Sequence, residues 1–142
     1  MENIKLASAL RTVTSKMYKR LRKQMHTADS LSITAITTLS YLYQNTCHTP
    51  SELADLVKVK AQSMSEVLKH MNELGLINKT NAVDDKRKIT VSLTEAGRKI
   101  VEQTRYERDD WLTDAISQNL SDDEKRQLTG AIALIDRLSD SK

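Results

Sequence analysis

The chain is poor in the residues that form tight turns and disulfides. Its 142 residues include three Gly, one Pro and one Cys. Because Gly and Pro are so few, the sequence predicts a mainly helical fold with few strands. A single Cys excludes an internal disulfide framework and is typical of a protein of the reducing cytoplasm.

Aromatic residues and long apolar runs are scarce as well. Aromatic residues make up 4% of the chain and Phe is absent, so a core would consist of Leu, Ile, Val, Ala and Met. No apolar run approaches the roughly 20 residues of a membrane span. Early charges in the N-terminal segment argue against a signal peptide. We therefore expect a cytoplasmic protein with no membrane partner.

The charge balance is mildly basic. The net charge is +3 and the isoelectric point is about 9.0. Hydrophobic residues make up 39% of the chain and charged residues 29%, which indicates a globular protein. The basic excess is compatible with a polyanionic partner but does not require one.

The N-terminal part predicts two helices. A first helix over residues 4–27 has an excess of Lys and Arg outside its apolar stripe, which fits either phosphate contacts or a solvated face. Ser32 is suited to be the N-cap of a second helix that runs to Gln44. The apolar stripe of the first helix comprises Leu6, Leu10, Val13, Met17, Leu21 and Met25.

A pair of helices is predicted next, within residues 49–75. Thr49, Pro50 and Glu52 form the capping pattern of a third helix. A fourth helix, over residues 61–74, would end at Gly75. The apolar residues expected to be buried are Leu53, Leu56 and Val57 in the third helix, and Met64, Val67, Leu68, Met71 and Leu74 in the fourth.

A charged hairpin follows the helix pair. Residues 76–80 are predicted to form one strand, and residues 89–93, which alternate apolar and polar, its partner. The loop between them holds Asp84, Asp85, Lys86, Arg87 and Lys88. A helix pair followed by such a hairpin is the outline of a winged helix-turn-helix, which binds DNA. Its fourth helix would enter the major groove, and an Arg of the hairpin suits the narrow minor groove.

The C-terminal part predicts two more helices. The fifth, over residues 94–119, would be about 40 Å long at 1.5 Å per residue, too long for one winged domain to cover. It therefore needs a partner, most simply a second copy of the chain. Ser121 and Glu124 form a second capping box, at the start of the last helix.

Residues 51–97 resemble the MarR family of bacterial transcriptional regulators. The most specific segment reads D-D-K-R-K-I-T-V-S-L-T-E-A-G, an acid and a basic pair before an alternating strand and Leu-Thr-x-x-Gly. The resemblance implies a homodimer of mainly α fold with a small antiparallel β-hairpin wing. Residues 1–30 and 98–142 would form the dimerisation region, and residues 31–97 the winged helix-turn-helix.

The resemblance also implies which residues meet DNA. Asp85 and Arg87 match the wing acid and the minor-groove Arg. Lys60 stands where the family often has an N-cap residue, and Lys cannot cap through its side chain. Glu66 puts a negative charge where a basic or neutral residue is common; it would either accept from a cytosine amino group or face away from DNA. The predicted DNA-binding residues are Gln62, Ser63, Ser65, Glu66, Lys69, Asp85, Lys86, Arg87 and Lys88.

The function predicted from these features is a dimeric, sequence-specific regulator, most simply a repressor of a near-palindromic operator. The resemblance implies release by a small aromatic or phenolic ligand in a cleft between the dimer helices and the winged unit. The same aromatic residues would otherwise be ordinary core and interface residues. They are Tyr18, Tyr41, Tyr43, Tyr106 and Trp111.

Three other readings remain open or are disfavoured. Cys47 and His48 allow a redox- or metal-responsive regulator, although the spacing of the other His residues does not indicate a zinc site. Another alternative is a winged helix that contacts only proteins and has no role in DNA binding. No triad, paired carboxylates or phosphate-binding loop is supported, so we expect no enzyme activity, no cofactor and no bound metal.

Overall fold

The computed structural model describes residues 2–45, 47–81, 84 and 88–142. Over these ranges the chain is mainly helical with one antiparallel hairpin, which confirms the predicted fold class. No helix in the described ranges combines the length and the apolar character needed to cross a membrane. In chain order the elements are α1 (Asn3–Arg22), a short 3-10 turn (His26–Ala28), α2 (Ile33–Gln44), α3 (Pro50–Val57), α4 (Ala61–Glu73), β1 (Ile77–Asn81), β2 (Ile89–Leu93), α5 (Glu95–Asn119) and α6 (Asp122–Ser139).

The chain divides into two compact units. One consists of Met1–Arg22 with Arg108–Lys142, and we call it the terminal unit. The other consists of Lys23–Glu107, and we call it the central unit. The dimerisation role expected of residues 1–30 and 98–142, and the DNA-binding role expected of residues 31–97, stay predictions.

The terminal unit leaves much of its apolar surface exposed. α1 has 20 residues and α6 has 18, and none of the described residues in either helix is buried. The apolar stripes expected from the sequence therefore lie open in the single chain: Val13 is 60% exposed and Ile132 is 58% exposed. Contiguous exposed apolar residues of this kind are uncommon on the surface of a monomeric protein.

The central unit has a well-formed core. Leu39 and Leu42 of α2, Leu53 of α3, and Val91 of β2 are all buried. The stripe of α4 packs among them. Its buried members are Met64, Leu68 and Met71.

Two residues expected in this core lie outside it. Leu56 is 39% exposed and Leu74 is 48% exposed. Leu74 is the C-cap residue, where α4 has already ended, and Gly75 at φ +74° reverses the chain behind it. Leu76 is buried instead of Leu74. The Leu76 N–H donates to the Met71 carbonyl at 3.0 Å, and this bond directs the Leu76 side chain toward the core.

The first helix is shorter than the periodicity predicts. It ends at Arg22 rather than at residue 27, and Met25 is buried as the N-cap of the 3-10 turn instead of continuing the stripe of α1. The Thr27 hydroxyl and N–H both donate to the Glu107 carboxylate. Burial alone would raise the pKa of that carboxyl, but the bonds from Thr27 leave it below its ordinary value. This contact spans 80 residues of chain, so helical spacing could not reveal it.

The two strands of the hairpin lie within one residue of their predicted bounds and pair antiparallel. Ile77 lies opposite Leu93 and Asn81 opposite Ile89. The connection between α2 and α3 joins the edge of this sheet, because the N–H groups and carbonyls of His48 and Val91 exchange bonds of 3.1 and 2.7 Å. The helix pair and the hairpin are thus parts of one hydrogen-bonded unit.

The junction between α4, β1 and α5 explains the Leu-Thr-x-x-Gly segment. The Thr94 hydroxyl donates to the Gly75 carbonyl at 2.7 Å and accepts from the Gly97 N–H at 3.1 Å. The Thr94 N–H donates to the Leu76 carbonyl at 3.1 Å. A methyl group at position 97 would collide with the same Leu76 carbonyl oxygen. The first turn of α5 therefore lies directly on backbone, and only Gly leaves room for it.

We predict that Gly97→Ala destabilises the protein by about 2–4 kcal/mol, because the Leu76 backbone cannot move away without breaking its bond to Thr94. Urea denaturation at a fixed protomer concentration measures the effect. Gly130→Ala is the matched control, since an added methyl at this helical position of α6 meets nothing within 4 Å. The control should be neutral or stabilising by up to about 1 kcal/mol. Equal stability of the two variants would contradict the steric explanation.

Candidate nucleic-acid interface

The start of α3 is held by the cap that the sequence predicts. The Thr49 hydroxyl accepts from the Glu52 N–H at 3.2 Å, and Pro50 occupies the first helical position. The same hydroxyl donates to the Glu52 carboxylate at 3.0 Å. This bond, followed by one from His48, holds the pKa of Glu52 below its ordinary value. Together these contacts connect the entry of the helix pair to the sheet edge at His48.

The turn between α3 and α4 relies on a left-handed residue that is not Gly. Lys58 has φ 61° and ψ 48°, and Val59 donates its N–H to the Ala54 carbonyl at 3.0 Å. Such a conformation is uncommon for a residue with a Cβ, and nothing in the sequence signals it. Lys60 is the N-cap of α4, and its side chain makes no capping hydrogen bond, as expected for Lys. The first turn of α4 therefore presents backbone N–H groups without a cap, an arrangement that favours an anion such as phosphate.

The polar residues predicted on the fourth helix share its exposed side. All of them are exposed, while Met64, Leu68 and Met71 on the opposite side are buried. Because residues three and four apart are neighbours on a helix, four of the five form one continuous strip, and Ser63 lies beside it. The strip consists of Gln62, Ser65, Glu66 and Lys69.

The wing is described only in part. The hydroxyls of Thr80 and Thr90 are 3.0 Å apart across the two strands, close to the tip. Lys88 is exposed just before β2. The predicted wing residues Asp85, Lys86 and Arg87 lie outside the described residues, so their contacts with DNA stay a prediction.

His48 has a structural position that the sequence did not indicate. Its side chain is 10% exposed and its Nδ1 lies 3.4 Å from a Glu52 carboxylate oxygen. Its Nε2 is buried and has no hydrogen-bond partner among the described residues. Cys47 beside it is exposed. Nowhere in the described ranges do three or more His, Cys, Asp or Glu residues gather as a metal site would require; a redox response of Cys47 stays a prediction.

Tyr43 is held by charged groups on α5. The guanidinium carbons of Arg98 and Arg105 lie 5.2 and 4.4 Å from the centre of its ring. Its hydroxyl donates to the Glu102 carboxylate at 3.1 Å. This cluster ties α2 to α5 within the central unit, and Tyr43 is therefore an anchoring residue in the described structure.

The aromatic residues expected to line a ligand cleft lie in different places. Tyr41 and Tyr43 pack on the core of the central unit. Tyr106 lines a cavity of about 530 Å³ in that unit, together with Thr27 and Ile100. Tyr18 and Trp111 belong to the terminal unit.

A second cavity lies within the terminal unit, between α1 and α5. It has a volume of about 670 Å³. Trp111 lines it, with the Arg20 guanidinium 5.0 Å from the centre of the indole ring. Val13 and Met17 add apolar surface, and Lys16 adds a second cation. Apolar walls with a few placed charges are typical of small-molecule sites.

A capped helix, a tight turn, a second helix with one polar side and a hydrogen-bonded hairpin define a winged helix-turn-helix. Comparison with known proteins agrees. Residues 31–89 match the sequence model described as the MarR family. The chain is 26% identical over 136 residues to an uncharacterized HTH-type transcriptional regulator of Mycobacterium leprae, covering 96% of this chain and 94% of that protein.

Solved structures share the whole architecture. A proposed transcriptional regulator from Pseudomonas aeruginosa has a TM-score of 0.87 and 28% identity, over 99% of this chain and 98% of that one. Wild-type MarR from E. coli, in its apo form, has a TM-score of 0.80 and 24% identity, over 95% and 98% of the two chains. The chain is therefore similar to MarR-family proteins, in sequence over residues 31–89 and in fold over nearly its whole length. These likenesses support a DNA-binding transcriptional regulator.

Proposed function

We propose that the chain is a cytoplasmic, dimeric repressor that binds a near-palindromic operator. Each α4 enters a major groove, and each wing reaches the adjacent minor groove. The observation that carries this proposal is the exposed polar strip of α4, which lies opposite the buried stripe that locks the helix in place. A major groove is wide enough to admit one helix presented in this way.

The exposed faces of the terminal unit support dimerisation. On α6 the apolar residues Leu128, Ile132, Ile135 and Leu138 recur at helical spacing and are all exposed. Burying apolar surface contributes roughly 25 cal/mol per Å². A second copy carries the same stripes on its own α1 and α6, so a twofold pair covers both sets at once. Such symmetry requires half-sites about 10 bp apart or a multiple of that distance.

We predict that Ile132→Asp raises the dimer dissociation constant at least about tenfold, because a carboxylate would be buried without a partner. Sedimentation velocity over a range of protein concentrations measures this constant. Ala133→Asp is the control, since Ala133 is exposed one residue further along, on the opposite side of α6. A dimer that is equally stable in both variants would place the interface elsewhere.

The wing supplies the second DNA contact in this proposal. We predict that Arg87→Ala weakens operator binding by about 1–3 kcal/mol and lowers the slope of log K against log salt by about one. Fluorescence anisotropy at several salt concentrations gives both quantities. Arg126→Ala, which removes an α6 charge that pairs with Asp123, should change neither. If binding has no salt dependence at all, the protein-contact alternative would replace DNA recognition.

We also propose that a small aromatic anion releases the repressor from DNA through the terminal-unit cavity. Trp111 offers a ring to stack on, and Lys16 and Arg20 offer charge to a carboxylate or phenolate. A ligand acts on DNA affinity only if it favours one dimer geometry over another. The cavity lies between two helices of the dimerisation region, where such a preference would arise.

We predict that 4-hydroxybenzoate quenches the fluorescence of Trp111, the single Trp of the chain, and weakens operator binding over the same concentration range. Lys16→Met should shift both titrations to higher concentration. Tyr106→Phe alters the central-unit cavity instead and should shift neither. Quenching without any loss of DNA affinity would rule out this mode of release.

A further inference from the structure

Glu66 occupies the middle of the exposed strip of α4. It lies one turn after Gln62 and one turn before Lys69 and His70, with the buried Met64 and Leu68 on the other side of the helix. Its side chain is exposed. Among the described residues it makes no hydrogen bond or ion pair. A carboxylate at the centre of a surface offered to DNA therefore has no partner within the described part of the chain.

A carboxylate in this position is costly unless the DNA provides a donor. Duplex DNA carries one negative charge for about each 1.7 Å of its axis. Inserting Glu66 between the phosphate strands removes water from the carboxylate and brings it close to like charge. An ionised group that loses water needs charge-assisted hydrogen bonds in return.

Only two base edges in the major groove carry a donor, the N4 amino group of cytosine and the N6 amino group of adenine. Adenine places the acceptor N7 beside its amino group, and that lone pair would repel a carboxylate. Guanine and thymine present acceptors at their own major-groove edges. Cytosine combines its amino donor with a neutral C5–H neighbour, so it is the base that a carboxylate tolerates best.

We infer that Glu66 determines sequence specificity by accepting a hydrogen bond from the N4 amino group of a cytosine, one in each operator half-site. This inference rests on the proposed insertion of α4 into the major groove. The opposing possibility is that Glu66 pairs along the helix with Lys69 or His70 when DNA binds. Such a pair would be weak and would confer no preference for any base.

Selection of duplexes from a random pool tests the assignment directly. The wild-type chain should enrich a twofold motif with one invariant C·G pair in each half-site. Glu66→Gln should change that position to A·T, because a Gln amide both accepts from N6 and donates to N7 of adenine. Glu66→Ala should lose the preference at that position alone. Glu73→Gln, the same charge change at the end of the same helix, should enrich the wild-type motif.

A second measurement separates base reading from general charge repulsion. The wild-type chain is titrated against its selected operator and against one in which a pyrimidin-2-one, which lacks the 4-amino group, replaces the cytosine. We expect about a tenfold loss of wild-type affinity and no comparable loss for Glu66→Ala. Equal losses for both chains would overturn the assignment, since the missing amino group would then act independently of Glu66.

The selection experiment distinguishes a failure of the proposed function from a failure of the role assigned to Glu66. A wild-type chain that enriches no motif would overturn the proposed function, and the role of Glu66 with it. A clear wild-type motif that both Glu66 variants also select would overturn the role of Glu66 alone. A uniform rise in affinity for all duplexes with Glu66→Gln, without a change of motif, would likewise show that the carboxylate only repels phosphate.

Discussion

The contact of α5 with the Leu76 backbone is the constraint on which the central unit depends. Three elements meet at this point: α4 ends at Glu73, two residues before Gly75, β1 begins at Ile77, directly after Leu76, and α5 begins at Glu95, directly after Thr94. The Thr94 side chain bonds in both directions, and Gly97 provides the space for the approach. Because the same few atoms set the end of α4 and the base of the hairpin, the proposed recognition helix and the wing are fixed relative to each other.

One side of α4 is apolar and buried, and the other is polar and exposed. Met64, Leu68 and Met71 bury the helix in the core and set its rotation about its own axis. That rotation decides which side chains face outward, and Glu66 is at the centre of that side. The buried stripe and the polar strip thus lie on opposite sides of one short helix, and a change in the buried stripe would also turn the polar strip.

The terminal unit, unlike the central unit, leaves many of its apolar residues exposed in the single chain. Its long helices have correct apolar periodicity but bury nothing within the single chain over the described residues. In the proposed dimer these helices would gain stability by association, whereas the central unit has its own core. The proposed dimer would link subunit geometry to the spacing of the two α4 helices, and the proposed ligand would act by changing that geometry.

Local signals were sufficient for much of this structure. The caps at Ser32, Thr49 and Ser121, the reversal at Gly75 and the two strands of the hairpin follow from residues close to each other in the chain, so the sequence by itself determined them. Other features needed the tertiary structure. The left-handed conformation of Lys58 has no signal in the sequence, and Leu56 is exposed although it lies on the predicted apolar face of α3. After the early end of α1, Thr27 is held by Glu107, 80 residues away in the chain. Helical spacing places a residue on a side of its helix, but only the neighbouring elements decide whether that side is covered.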